Sequence, residues 1–352
     1  MKVLHVINNL GSGGAESMLI NFFKELKTTD GIFEILLLVD DKIAYNVPNN
    51  ITISKLSKSN KRFSFIKLWQ LYKFIKINNF DLVHSHLFPS QYYVAFIKLF
   101  FIKKLKIITT EHSTSNSRQK NIFFRLIDKN IYKLYDKIIF ISNGVAQSFQ
   151  KIYPKQALKG VVINNGIPLG KFKPAKKISD KSDIFKIIMV ARFSKQKDHE
   201  TLLKALKLLS NNYTLTLVGE GNKLAKIKKL SKSLNIEDRV HFLGFRDDVA
   251  KLYQEHDIFV LSSFWEGFGL VVVEAMASGL PIIASNVTGL KEVVRNTGFL
   301  FEQGNEKKLA KHIKYIATKE AIKKELIRKG IEKSKLYSIE KLVSETLNLY
   351  KK

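Results

Sequence analysis

Cysteine is absent from this 352-residue chain. That excludes a disulfide framework, a thiolate metal site and a cysteine nucleophile, and it is compatible with a reducing cytoplasm. Long apolar runs are missing too. None approaches the ~20 residues of a membrane-spanning helix, so an integral membrane protein is not expected. The opening MKVLHVINNLGSGGAE has an apolar stretch of only about six residues and runs into a glycine turn with no cleavage-like site, so it is not read as a signal peptide. Acidic residues are the scarce charge, 31 against 59 basic, for a net +28. An anionic partner would suit that excess. The lysine bias of an A+T-rich genome would produce the same total with no binding role. The distribution says more: residues 55–137 hold 17 basic and 4 acidic residues, interleaved with aromatics.

Hydrophobic residues make up 45% of the chain, enough for sizeable cores. Single cores usually stop growing near ~250–300 residues, so the length favours two domains. Short β-rich runs alternate with helical stretches, the pattern of parallel α/β sheets. In the first half the strand candidates are KVLHVIN (2–8), FEILLLV (33–39), LVHSH (82–86), KIITTEH (106–112), KIIFIS (137–142) and GVVINN (160–165). Apolar density then falls, with prolines, glycines and charges marking a linker. The pattern restarts with FKIIMVAR (185–192), YTLTLVGEG (213–221), VHFLGF (240–245), IFVLSS (258–263) and PIIAS (281–285), and residues after 305 read as helices. The expected organisation is a first α/β domain over 1–167, a linker over 168–183, a second over 184–335, and a C-terminal helix over 336–352 that packs back on the first domain. Ligands of such sheets bind outside the carboxyl ends of the strands. With two domains, that places them in a cleft between the two.

WEGFGLVVVEAMASGLPIIAS (265–285) sets Glu266 before a glycine pair and Glu274 inside an apolar run. Burying a charge is costly unless it is paired. Gly279 and Pro281 stop a helix, and a helix starting near Gly269 would offer free amides and a positive dipole end to an anion. A plain turn with one glutamate paired to a lysine is the competing explanation.

This stretch resembles the donor-site signature of retaining glycosyltransferases of family 4, which have the GT-B fold. Six further segments match in order: GSGGAE (11–16), TTEHS (109–113), VINNGIPLGKFKP (162–174), VARFSKQKDHETLLKA (190–205), VGEGN (218–222) and VHFLGF (240–245). Together they cover about residues 1–340. The resemblance implies an α/β chain of two doubly wound, Rossmann-like domains. It implies a nucleotide-diphosphate sugar as donor, no cofactor and no metal. Transfer would retain the anomeric configuration by same-face attack assisted by the leaving phosphate.

It also implies roles for particular residues. Arg192 and Lys197 would grip the diphosphate, a bidentate fork beside a point charge. Gly267, Phe268, Gly269 and Leu270 would form the phosphate-facing turn. Glu274 would accept the ribose hydroxyls, which answers why a carboxylate sits in LVVVEAMA. Phe245 lies near the base. Gly13 and Gly14 would let the backbone approach the donor phosphate. Glu266 and His112 would face the sugar as the catalytic pair, with His86 as the fallback for His112.

The acceptor implied is a glycan or lipid-linked saccharide. FSFIKLWQLYKFIKIN, YYVAFIKLFFIKKLKII and NIFFRLIDKNIYKLY combine aromatics, aliphatics and lysines. Such helices suit peripheral contact with an anionic membrane surface. Ordinary core helices with lysine on the wet side are the alternative. The expected place is the cytoplasm, at the inner face of its membrane. A sugar-nucleotide epimerase of the same fold, needing no acceptor, is the other enzyme compatible with these motifs. A non-enzymatic basic module is the reading from another class; no helix-turn-helix, zinc or RNP-type motif favours nucleic acid. UDP is favoured over GDP as the carrier on family frequency.

Overall fold

A computed structural model describes residues 1–11, 13–39, 43, 47–48, 51–56, 64–174 and 183–352. Ser12 of the first glycine turn and residues 175–182 of the expected linker lie outside them. The chain divides into two compact units, residues 1–166 with 339–352, and residues 167–338.

The first unit carries β1 (Lys2–Ile7), β2 (Ile32–Leu37), β3 (Thr52–Lys55), β4 (Leu82–His86), β5 (Lys106–Glu111), β6 (Lys137–Phe140) and β7 (Gly160–Val162). They form one parallel sheet in the order β3-β2-β1-β4-β5-β6-β7. Its helices are α1 (Gly14–Glu25), α2 (Phe65–Asn78), α3 (Ser90–Phe100), α4 (Ile122–Leu134), α5 (Asn143–Ile152) and α6 (Pro154–Ala157). The order reverses between β1 and β4, the switch point at which such sheets bind ligands. Strands covered on both faces read as continuous apolar runs. In β1 and β4, His5, His84, Ser85 and His86 break the run yet are 2% exposed or less.

The second unit carries β8 (Phe185–Val190), β9 (Tyr213–Val218), β10 (Val240–Phe242), β11 (Ile258–Leu261), β12 (Ile282–Ser285) and β13 (Gly298–Phe301). Their parallel order is β10-β9-β8-β11-β12-β13, with the switch point between β8 and β11. The helices are α7 (His199–Lys207), α8 (Leu224–Ser233), α9 (Val249–Gln254), α10 (Leu270–Ala277), α11 (Thr288–Val294), α12 (Glu306–Thr318) and α13 (Glu320–Ser334). The last helix, α14 (Ile339–Tyr350), belongs to the first unit and packs on α1.

Two strands escape the sequence reading, β3 and β13. Both are four-residue edge strands. TISK is polar at three of its four positions and half-exposed, and GFLF, though apolar, is only four residues long, so neither stands out as a strand. LVVVEAMA, ambiguous between strand and helix, is helix α10 with Gly269 as its N-cap at φ +90°.

Helix α2 does not follow the core-helix pattern. Lys67 is buried, whereas Phe65 (90% exposed), Ile66, Trp69 and Ile77 stand in solvent. Phe100 and Phe101 at the end of α3, and Ile122, Phe123 and Leu126 on α4, are exposed as well. Trp69 and Tyr72 contact Phe101, which joins the α2 and α3 patches.

Candidate active site

In the second unit, three loops leave the carboxyl ends of β8, β9 and β11 and are laced together. The Phe193 amide donates to the Glu220 carbonyl at 2.8 Å, and the Lys223 amide donates to the Phe193 carbonyl at 3.0 Å. The Phe264 amide donates to the Gln196 carbonyl, and the Gln196 side chain donates to the Trp265 carbonyl, each at 2.8 Å. Gly221 permits the crossing: its φ is +152°, and a Cβ there would lie 2.3 Å from the Phe193 carbonyl oxygen. These bonds hold the Arg192–Lys197 loop beside the Phe264–Gly269 loop, although the two are some seventy residues apart in sequence.

The loops carrying Arg192, Lys197 and Glu266 to Leu270 therefore lie side by side at one switch point, whereas Gly13 and Gly14 belong to the first unit. Lys197 Nζ is ion-paired with Glu266 Oε1, and Ser263 Oγ donates to the same oxygen at 2.7 Å. Glu266 is 7% exposed, so the partners that Lys197 and Ser263 supply are what make its burial tolerable. Arg192 is exposed and makes no ion pair among the described residues. Gly267 and Phe268 are buried, with the Phe268 ring edge-on to Tyr337 at 5.1 Å. Leu270 opens α10, so the positive end of that helix faces the loop. Phe245, 38% exposed, follows β10.

Glu274 lies one turn into α10 and is partly buried. The Tyr253 hydroxyl donates to its Oε2 at 3.3 Å. Burial raises its pKa to about 7, against the lowering effects of the Tyr253 bond and the Lys171 charge. Among the described residues that tyrosine is its one hydrogen-bond partner, too little to offset the burial.

In the first unit, Gly13 is the N-cap of α1 at an ordinary φ of −100°, and Gly14 is the first helical residue. A Cβ on Gly13 would strike the Glu16 carboxylate. His112 follows β5. Burial lowers its pKa to about 4, so the ring is neutral, and Nδ1 is buried with no hydrogen-bond partner among the described residues. Its Nε2 lies 3.4 Å from His86 Nδ1. His86 is therefore no independent alternative to His112, because the two rings are bonded. His5, His84, Thr110 and Tyr350 continue this cluster.

Sequence reasoning missed Ser263 and Tyr253, the partners of the two glutamates, and Tyr350, which joins the histidines from the last turn of the last helix. It also passed over His5, although a histidine inside the apolar strand KVLHVIN was a usable signal. Among the described residues, His5, His84 and His86 are also the one group whose ligand atoms, within 4.8 Å of one another, could hold a metal. All six of their ring nitrogens, however, already have hydrogen-bond partners.

Comparison with known proteins now bears on this geometry. Residues 12–171 match the model of Glycosyltransferase Family 4, and residues 171–333 that of Glycosyl transferases group 1. The UDP-Gal:alpha-D-GlcNAc-diphosphoundecaprenol alpha-1,3-galactosyltransferase of Escherichia coli is 30% identical over 75% of this chain and 72% of its own. The N-acetylgalactosamine-N,N'-diacetylbacillosaminyl-diphospho-undecaprenol 4-alpha-N-acetylgalactosaminyltransferase of Campylobacter jejuni is 27% identical over 97% of each. Among solved structures, HepE of Anabaena in complex with UDP and glucose superposes with a TM-score of 0.85 at 21% identity over 99% of each chain, a likeness of fold. Two Rossmann-like parallel sheets, two contiguous family matches and these relatives agree: the chain belongs to the family 4 glycosyltransferases of the GT-B fold.

Proposed function

We propose that this glycosyltransferase moves a hexose or N-acetylhexosamine from a UDP-sugar to a lipid-linked saccharide, with retention and without a metal. The single observation that carries the donor assignment is Glu274, a partly buried carboxyl at pKa about 7 whose one hydrogen-bond partner among the described residues is Tyr253. Ribose hydroxyls would supply the missing donors. Arg192, Lys197 and the start of α10 would serve the leaving diphosphate in place of a metal. Glu266, engaged by Lys197 and Ser263, is poorly set up as a nucleophile, which favours same-face attack over a glycosyl-enzyme. Gly13 and Gly14 at the start of α1, and Phe245 beside the base, complete the donor assignment. Acceptors carried on diphospho-undecaprenol in the names of both relatives support the lipid-linked class.

Glu274→Gln tests the donor reading through opposite effects on binding and stability. At pH 8 its affinity for UDP is expected to fall about 10–100-fold, the loss of hydrogen bonds to a charged group. Wild-type affinity should itself weaken as pH drops from 8 to 6, because ribose donors need the carboxylate. The variant's should stay flat. The stability sign is the reverse. The folded pKa lies above the unfolded value, so wild-type stability is lost as pH rises through about 7. The variant's Tm should therefore exceed wild type at pH 8, with the gain vanishing toward pH 5. Calorimetry and thermal melts check both, and unchanged affinity in a folded variant refutes the assignment.

The exposed aromatics of α2 and α4 support peripheral docking on an anionic membrane, since basic helices with solvent-facing Phe and Trp are built to lie in the headgroup region. In flotation assays the protein should bind phosphatidylglycerol vesicles more tightly than phosphatidylcholine ones, and less as salt rises. The triple variant Phe65→Ser, Trp69→Ser, Phe123→Ser should weaken binding about tenfold or more. Equal flotation of both proteins removes the membrane role.

A further inference from the structure

Five hydrogen bonds run from His112 through β4 and β1 to the last helix and back to Thr110 on β5. His112 Nε2 lies 3.4 Å from His86 Nδ1, and His86 Nε2 lies 3.0 Å from His5 Nδ1. His5 Nε2 lies 3.2 Å from the Tyr350 hydroxyl, which lies 2.5 Å from His84 Nδ1. His84 Nε2 lies 2.7 Å from Thr110 Oγ1. Strand register builds this chain: His5 pairs with His84 across β1 and β4, and His86 with Thr110 across β4 and β5. Helix α14 adds Tyr350.

Each member carries one hydrogen. Burial holds all four histidines below their ordinary pKa and Tyr350 above its own, so the rings are neutral and the phenol is protonated. Six groups thus bring six hydrogens to five contacts. Every contact needs one donor and one acceptor, and Tyr350 can accept from both of its neighbouring rings only by orphaning its own buried O–H, so the satisfied arrangements have all the bonds pointing the same way. The sixth hydrogen emerges at one end, on His112 Nδ1 or on Thr110 Oγ1.

Two observations choose the end. When it emerges at Thr110, all four rings carry the hydrogen on Nε2, the tautomer that imidazole side chains prefer intrinsically. Thr110 also borders a small cavity shared with Asn165, whose buried Oδ1 has no partner among the described residues. An acceptor is therefore available across that cavity. At the other end the cost is an unfilled nitrogen lone pair, which is cheaper than an orphaned N–H.

We propose that Thr110, His84, Tyr350, His5 and His86 are positioning residues that fix His112 as the neutral Nε2–H tautomer, presenting Nδ1 as a bare acceptor. Such an atom takes a hydrogen bond from a hydroxyl, of sugar or acceptor, and gives none. This rests on the reading that His112 meets the reacting sugar.

Long-range ¹H–¹⁵N correlation spectra of the full chain labelled with ¹⁵N-histidine, at neutral pH, test it. Wild type should show His112 protonated on Nε2. Thr110→Val and Tyr350→Phe each remove a link, so they should shift His112 toward Nδ1–H. Both should lower kcat about fivefold, one neutral hydrogen bond, with the UDP dissociation constant unchanged. Thr110→Ser keeps the hydroxyl and should match wild type in both readouts. An Nδ1–H ring in the wild type, or a tautomer unmoved in both link variants, overturns the proposal. The reading of His112 fails separately: His112→Ala with normal turnover removes the sugar contact while the spectra still report on the chain.

Discussion

Lys197→Ala is expected to lower turnover about 10²-fold or more at saturating donor, the loss typical of a group aimed at charge that develops in the transition state. In the free protein Lys197 neutralises Glu266. Removing it therefore has a second consequence, a buried carboxylate deprived of its cation. Lys197→Ala should also lower the melting temperature, whereas Arg192→Ala, at an exposed guanidinium, should lose rate with little change in stability. Initial rates with a UDP-sugar, alongside thermal melts, separate the two effects. EDTA should leave wild-type turnover intact. Activity lost to EDTA and restored by Mg²⁺ or Mn²⁺ would mean that the cations of the protein do not suffice for the leaving group. Normal turnover in both alanine variants would move the diphosphate elsewhere.

His112→Ala should lower kcat by about 10²-fold or more and leave the UDP dissociation constant little changed, the pattern of an interaction made mainly in the transition state. Apart from Gly13 and Gly14, the residues proposed for the nucleotide belong to the second unit, and His112 belongs to the first. His86→Ala does not serve as a mild control, because His86 bonds His112 directly and removing it frees the Nε2 end of the ring. An intermediate loss is expected for it. A large rise in the UDP dissociation constant for His112→Ala, with kcat preserved, would place the ring on the nucleotide.

Much of this protein was legible in the sequence, for a local reason. In a doubly wound sheet each ligand loop directly follows a strand, so motifs read in order along the chain are motifs at the ends of successive strands. That is why the segments around Arg192, Glu266 and His112 could be placed at strand ends from linear text, and why the hydrophobic alternation sufficed for the fold. Helix α10 could be placed as well, because Gly269, Gly279 and Pro281 bracket it within a dozen residues. What linear text lacks is partnership across the fold. Nothing near Glu266 announces Lys197, 69 residues away, and nothing near His5 announces Tyr350, 345 residues away. Parallel strands are joined by crossovers of tens of residues, so side chains that touch across them share no local pattern. The edge strands β3 and β13 escaped because each is four residues long, and TISK is mostly polar as well. The exposed aromatics of α2 escaped because composition cannot say which face of a helix is covered. The sequence by itself determined the sheet architecture, the family and the loops that leave the strand ends. The tertiary structure alone decided that Glu266 is paired with a lysine while Glu274 meets a tyrosine, and that four histidines on two strands and the loop after β5 are joined by hydrogen bonds to a tyrosine from the last helix.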